Sequence, residues 1–282
     1  MKILVTGGCG FIGSHLVDKL ITLNHEVVVL DNLSSGKKEY LNPAAKLVVG
    51  DVRDLDDVKK SIRGCETVFH LAALTDVRSE AEETDYQVNF IGSKSVFSVA
   101  EAINAKIIFA SSSAVYGNSP AKEDSKCSPI SQYGRSKLKA EKACPEDSLI
   151  LRLFNAYGPK GKSVINIFCK KIPKYEDITV FGTGLQTRDY IYVADVVNAM
   201  IMGLKKSGIY NVGTGLETSL LDVIEIIHQL ANNKPNIKFA MPRENEVKRS
   251  KADITKIKHA LGWGPRIELV EGIRKLLEKP GA

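Results

Sequence analysis

TGGCGFIG, residues 6 to 13, follows directly on the apolar run KILVT (2–6) and opens into the periodic stretch FIGSHLVDKLITL (11–23). That order reads as a buried strand, a tight turn and an amphipathic helix. In the turn, Gly7 suits a positive φ, Gly10 lets the backbone approach a phosphate without a Cβ between them, and Gly13 lets the helix lie close to the strand. The free amides of the helix start then face an anion. Glycine triplets also occur in plain surface turns. Here the flanking strand and helix, and a second run EVVVLDN (26–32) that ends in an acid, select a dinucleotide-binding reading. Asp31 lies about 20 residues past the glycines, where a carboxylate accepts from the ribose hydroxyls of NAD and repels a 2′-phosphate. NAD is therefore expected rather than NADP.

Further strand-like runs at 46–49, 67–70, 106–110 and 149–153 alternate with helical patterns at 55–63, 85–103 and 132–143. This alternation predicts an α/β fold, a doubly wound parallel sheet of Rossmann type. Ligands in such sheets lie beyond the carboxyl ends of the strands. The glycine turn, Asp31, Asp51, the 71–73 turn and Ser111 to Ser113 all fall there. From about residue 158 the pattern changes to short strands, the glycine turns FGTG and VGTG, and a terminal helix that tapers into KPGA. The expected division is an NAD-binding domain over 1–157, with 188–206 packing back on it, and a smaller α/β substrate-binding domain from 158–187 and 207–282.

Composition narrows the class. The chain has 282 residues, 44% of them hydrophobic, enough for a sizeable core. No stretch approaches the ~20 apolar residues of a membrane span, and Met1 leads straight into the first strand, so no membrane association and a cytoplasmic location are expected. Five cysteines, without a CxxC pair or a metal-ligand cluster, suggest reduced thiols and no metal site. A net charge of +6, with Lys and Glu interspersed, argues against nucleic-acid binding.

The second informative stretch is YGRSK (133–137), preceded by SSSAVYG (111–117). Tyr133 and Lys137 are four apart on a predicted helix and share a face. A free tyrosine titrates near ~10, too high for a base at neutral pH, and a cation close by stabilises its phenolate. An exposed lysine on an ordinary helix gives the same spacing. Behind a serine-rich strand end in a dinucleotide fold, proton transfer is the better reading.

With GxxGxxG (Gly7, Gly10, Gly13) and YxxxK, the chain resembles the extended short-chain dehydrogenase/reductase family, in its nucleotide-sugar epimerase and dehydratase branch. The resemblance covers nearly the whole chain: DNLSSG (31–36), GDVRD (50–54), HLAAL (70–74), VNFIGS (88–93), RLFNAYGP (152–159), TRDYIYVADV (187–196), YNVGTG (210–215) and ADITKIKHALGW (252–263) also match. It implies a catalytic Ser112, Tyr133 and Lys137, with Ser111 and Ser113 as alternatives for the serine. It places Gly7, Gly10, Phe11, Ile12, Gly13, Asp31, Asn32, Ser35, Gly36, Asp51, Val52, Leu71, Ala72, Ala73, Asn89, Ser111, Tyr133, Lys137 and Phe154 at the cofactor. On the substrate side it implies Ser112, Asn155 near a diphosphate, Val164, Thr179, Phe181 by a uracil, Arg188 and Arg243 as a phosphate clamp, and Ser250 where residue size limits the sugar pocket.

Dehydratases of this branch carry Asp-Glu after the catalytic serine, and decarboxylases a Glu. Ser113 and Ala114 provide no carboxylate. The resemblance then implies epimerisation at C4 of a UDP-hexose through a transient 4-keto sugar, with N-acetylated and uronate sugars also open. A nucleotide-sugar dehydrogenase or reductase, or an idle NAD-binding scaffold, are the alternatives. The family's usual homodimer is expected. Only fifteen positions separate Lys137 from Arg152, so the catalytic helix ends near Cys144-Pro145, shorter than is usual for the family.

Overall fold

Apolar, β-branched runs build the sheet. The computed structural model describes residues 1–75, 82–118, 121–243 and 246–278. Its first half contains β1 (Lys2–Thr6), α1 (Phe11–Thr22), β2 (Glu26–Asp31), β3 (Lys46–Val49), α2 (Leu55–Ile62), β4 (Thr67–His70), α3 (Glu82–Tyr86), α4 (Ser93–Ala102), β5 (Lys106–Ser112), α5 (Gln132–Ala143) and β6 (Leu149–Leu153). Strands β1, β2, β4, β5 and β6 are buried along nearly their whole length, as strands covered on both faces must be. Helix starts are fixed locally. Asp54 caps α2 by accepting from the Asp56 and Asp57 amides, and Ser131 caps α5 through the Gly134 amide, contacts each worth about 1 kcal/mol.

The second half supplies β7 (Asn155–Tyr157), α6 (Val164–Lys171), β8 (Ile178–Phe181), β9 (Thr187–Arg188), β10 (Tyr190–Tyr192), α7 (Val193–Met202), β11 (Gly208–Val212), β12 (Thr218–Ser219), α8 (Leu220–Ala231), β13 (Ile237–Ala240), α9 (Thr255–Leu261) and α10 (Leu269–Glu278). The main sheet has the order β11-β6-β5-β4-β1-β2-β3. Every neighbouring pair in it is parallel. Helices α2, α4 and α5 cover one face through Val58, Ile62, Val96, Phe97 and Ala140. The other face is covered by α1 and α7 through Leu16, Leu20, Val196 and Met200. A third core, with Ile165, Phe168, Val180, Val223 and Ile273, lies among α6, β8, α8 and α10.

Two sequence expectations change. GIYNV, read with the smaller part, is β11, the seventh strand of the parallel sheet, paired in register from Gly208 opposite Leu149 to Val212 opposite Leu153. Its flanking glycine turns disguise it. Trp263 and Ile257 follow it into the core of the main sheet, and the Trp263 indole donates to the Asp195 carbonyl at 3.2 Å. The stretch 85–103 is not one α-helix, because a π-helical segment, Gln87–Gly92, separates α3 from α4. One residue too many per turn hides such a segment from a 3.6-residue reading.

Candidate active site

The carboxyl ends of β1, β2, β4, β5 and β6 open into one cleft of about 1390 Å³. Gly7 has φ +70°, and a Cβ there would lie 2.8 Å from the Ala72 amide nitrogen. A Cβ on Gly13 would fall 2.1 Å from the Gly7 carbonyl oxygen, so side chains at both positions are excluded. Helix α1 starts at Gly10 with no side-chain cap and no acidic residue in its first turn. Its Phe11, Ile12 and Gly13 line the cleft. Uncapped amides at the positive end of a helix dipole suit a pyrophosphate, so the residues present fit a dinucleotide.

Asp31 is 7% exposed and lines the cleft. One carboxylate oxygen accepts from the Cys9 amide at 2.9 Å and the other from Leu33 at 2.8 Å. It thereby joins the glycine turn to the loop after β2, where Leu33 adopts φ 59°. Asn32, Ser35, Val52, Leu71, Ala72, Ala73, Ser111 and Phe154 also line the cleft. Three expected cofactor residues do not. Asp51 is gripped by Arg53 (Nε to Oδ1 2.9 Å, Nη2 to Oδ2 2.8 Å) and by the Asn32 amide at 3.0 Å. The Arg53 bonds, foremost, hold its carboxyl down at about 2. Gly36 packs on the Cys9 backbone, where a Cβ would approach to 2.8 Å. Asn89 is fully buried, and its amide is used by Leu74 and Ser136. Gly36 and Asn89 support the cleft from behind, and Asp51 braces the cleft-lining Asn32.

Ser112, Tyr133 and Lys137 meet at the end of β5. Of the three adjacent serines, Ser112 is the one whose side chain bears on the Tyr133 hydroxyl, and its Oγ accepts from the Ala114 amide at 3.2 Å. Ser111 points the other way and donates to Glu141, beneath α5. Ser113 lies in the 3-10 turn that follows. The Tyr133 ring is half-buried, and its packed surroundings raise its hydroxyl above the usual tyrosine range, an effect Ser112 opposes. Lys137 is 2% exposed. Its ammonium donates to the Ala110 carbonyl at 2.9 Å and stands 4.8 Å from the centre of the Phe109 ring. Burial lowers it to about 7, while Glu141 favours the charged form. Beneath them, Glu141 and Arg152 form a buried ion pair, Nη2 to Oε2 2.7 Å.

Asn155, Val164, Thr179, Phe181, Arg188, Arg243 and Ser250 all line the far side of the same cleft. Arg243 stacks over Phe181 with its guanidinium carbon 4.1 Å from the ring centre. Arg188 pairs with Glu246 at 3.3 Å. Glu246, Lys160, Lys162 and Gln186 also line the wall and escaped the sequence reading. The two lysines in GPKGKS (158–163) were the available signal. Lys160, at φ 64°, reaches across to the Tyr40 carbonyl (3.1 Å) and Asp18 (3.6 Å). Among the described residues, no helix is long and apolar enough to cross a membrane.

Comparison with known proteins agrees with this geometry. A Methanocaldococcus jannaschii protein provisionally named a UDP-glucose 4-epimerase is 42% identical, over 98% of this chain and 97% of its own length. The crystal structure of a UDP-glucose 4-epimerase from Thermotoga maritima with UDP-glucose superposes with a TM-score of 0.95 at 34% identity, covering 99% of this chain and 98% of that one. A UDP-N-acetylglucosamine 4-epimerase from Methanobrevibacter ruminantium, in complex with UDP-N-acetylmuramic acid, gives 0.92 at 33%, over 98% and 97%. The sequence profile of the NAD dependent epimerase/dehydratase family matches residues 3–213, and the chain belongs to that family.

Proposed function

We propose that the protein interconverts the C4 epimers of a UDP-hexose, glucose and galactose or their N-acetylated or uronate counterparts, with NAD held in the cleft. The observation that carries this reading is the meeting of Ser112, Tyr133 and Lys137 opposite the glycine cradle, with no carboxylate at Ser113 or Ala114. Gly7, Gly10 and the α1 amides would hold the pyrophosphate, Asp31 a ribose, and Lys137 the second ribose. Bound NAD supplies the group that accepts and returns hydride.

The chain's own residues manage the proton and the position of the sugar. Tyr133 takes the proton from the 4-hydroxyl oxygen as the C4 hydrogen leaves, and gives it back in the reverse step. Ser112 holds that oxygen. Burial, and secondarily Asp85, raise Tyr133 while Ser112 opposes the rise; Lys137, when charged, would favour the phenolate. Arg188, Arg243 and Asn155 hold the diphosphate, and Phe181 the base. Epimerisation needs a sugar that turns over while the nucleotide stays fixed, and polar contacts concentrated at the nucleotide end serve that need.

Residues 1–157 with 188–212 form the dinucleotide-binding part of this reading, against which Ala252, Ile254, Ile257 and Trp263 pack, and 158–187 with the rest of 213–278 form the UDP-sugar part. A cytoplasmic homodimer is the working form we infer. Family resemblance supports the dimer, and five unpaired thiols support the compartment. The test is a panel of UDP-, dTDP- and GDP-sugars assayed for 4-epimer formation. Epimer appearing only from UDP-hexoses supports the reading; net oxidation with release of NADH would replace it with a dehydrogenase.

A further inference from the structure

His70, at the end of β4, is fully buried and has no part in the chemistry above. Its Nδ1 lies 2.7 Å from the Thr6 hydroxyl and its Nε2 2.8 Å from the Ser93 hydroxyl. Each end independently selects one tautomer. Ser93 Oγ lies 2.6 Å from the Asn89 carbonyl, which only accepts, so the Ser93 proton goes there and its oxygen must accept from Nε2–H. Thr6 Oγ1 already accepts from the Leu71 and Ala72 amides, both at 3.2 Å. Its two lone pairs are taken, so its proton goes to a bare Nδ1. Burial, and secondarily the Lys137 charge, lowers His70 to about 3, which keeps the ring neutral.

The network continues at both ends into the cleft. Leu71 and Ala72, held through Thr6, line the dinucleotide side. On the other side, Asn89 accepts from the Leu74 amide at 2.8 Å and donates to the Leu74 carbonyl at 2.9 Å. The same amide donates to Ser136 Oγ at 3.2 Å, and Ser136 donates to the Tyr133 carbonyl at 2.8 Å. The π-helical segment is what places Asn89 there, and such segments gather at functional sites. The imidazole also stacks on Phe109, centroids 5.6 Å apart, and the Lys137 ammonium stands over that same ring.

We propose that His70, as the Nε2–H tautomer, is a positioning residue that ties the cofactor turn 71–74 to the helix carrying Tyr133, so that dinucleotide and base keep one register. This rests on the dinucleotide reading of the cleft. Wild-type protein that retains NAD(H) through gel filtration tests that reading, and the variants test this one. His70→Asn keeps an acceptor at the Nδ1 place, His70→Gln keeps a donor at the Nε2 place, and His70→Leu keeps neither.

The measurements are dinucleotide bound per folded molecule and, with saturating NAD⁺, kcat against pH. His70→Leu should release dinucleotide roughly tenfold faster, the scale of one or two lost hydrogen bonds. His70→Asn should recover most of the retention and His70→Gln less, because the acceptor side orders Leu71 and Ala72. The acidic limb of the kcat profile should move in His70→Leu and stay in place in His70→Asn. Should His70→Leu not fold, Thr6→Val removes the hydroxyl's contacts to His70, Leu71 and Ala72, leaving the Leu71 amide its bond to the Thr6 carbonyl, and Thr6→Ser restores them, with retention following that order. A purely structural His70 would lower only the melting temperature. Unchanged retention and pH profile in folded His70→Leu, or in Thr6→Val, overturn the proposal.

Discussion

Removing Glu141 should destabilise the protein far more than removing both halves of its ion pair. Glu141 and Arg152 side chains are 3% and 4% exposed, and Arg152 reaches the carboxylate through Nε at 3.0 Å and Nη2 at 2.7 Å. Glu141→Ala leaves the guanidinium only the Tyr116 hydroxyl at 2.9 Å and the Glu123 carbonyl at 3.3 Å. An uncompensated buried charge costs about 3–5 kcal/mol. Ser111 also loses its acceptor, a further loss of about 1 kcal/mol. Taking about 5 kcal/mol in total, and an unfolding entropy near 2.1 cal/mol/K for each of 282 residues, Tm falls by roughly 8 °C. Replacing both, Glu141→Leu with Arg152→Met, removes the charges together and should lower Tm by only about 2–3 °C, the share of Ser111 and the Tyr116 contact. Calorimetry on dinucleotide-free protein is the assay, because bound ligand would mask the difference. A double variant as unstable as Glu141→Ala, or a Glu141→Ala within about 1 °C of wild type, refutes the reasoning.

Tyr133→Phe keeps the ring and removes the hydroxyl, so turnover should drop by about 10²–10⁴ with the fold intact; turnover near wild type would displace Tyr133 from its role. Burial holds Lys137 at about 7 in the empty folded protein, against about 10.4 when unfolded. Between these values the unfolded chain binds more protons, so wild-type stability relative to Lys137→Met should rise from pH 7.5 to 9, by at most about 1.4 kcal/mol per pH unit. Denaturant midpoints of the two proteins measure it, and a flat or falling difference contradicts the lowering of Lys137 by burial. Ser250→Tyr should depress kcat/KM for UDP-N-acetylglucosamine far more than for UDP-glucose, since the added ring excludes the bulkier sugar; equal losses would remove Ser250 from the sugar pocket.

What was legible in the sequence was what local rules control. KILVT, EVVVLD and LILRL read as strands because each is apolar on both faces, and the glycine turn was legible because Gly7 and Gly13 have no room for a side chain. Tyr133 and Lys137 follow from helical spacing, and the far wall from motif order. Three things depended on contacts that spacing rules do not show. Asp51 is held by Arg53 and Asn32, which claim its oxygens. Asn89 faces inward because a π-helical segment rotates it there. Choosing Ser112 among three serines required seeing which hydroxyl met Tyr133 and which met Glu141. Glu246 carried no local signal, since only the folded chain sets it against Arg188.

The seventh strand also bears on how the chain folds. β6 pairs with β5 on one side and on the other waits for residues 208–212, which follow α6, β8 and α7 in the chain. Until Val212 has emerged from the ribosome, Leu149–Leu153 is a bare edge, apolar at every position but Arg152, the kind that recruits other chains. A fragment cut near residue 157, although it contains the whole glycine cradle and both catalytic partners on α5, would carry that edge permanently. The two parts of the molecule therefore cannot be separated by a single cut, and neither is an independent folding unit on its own stretch of chain. Insertions into the surface loops of the smaller part lengthen the wait by little, since loop closure grows only logarithmically with length, whereas any change that unpairs Gly208–Val212 returns the edge to solvent in the finished protein.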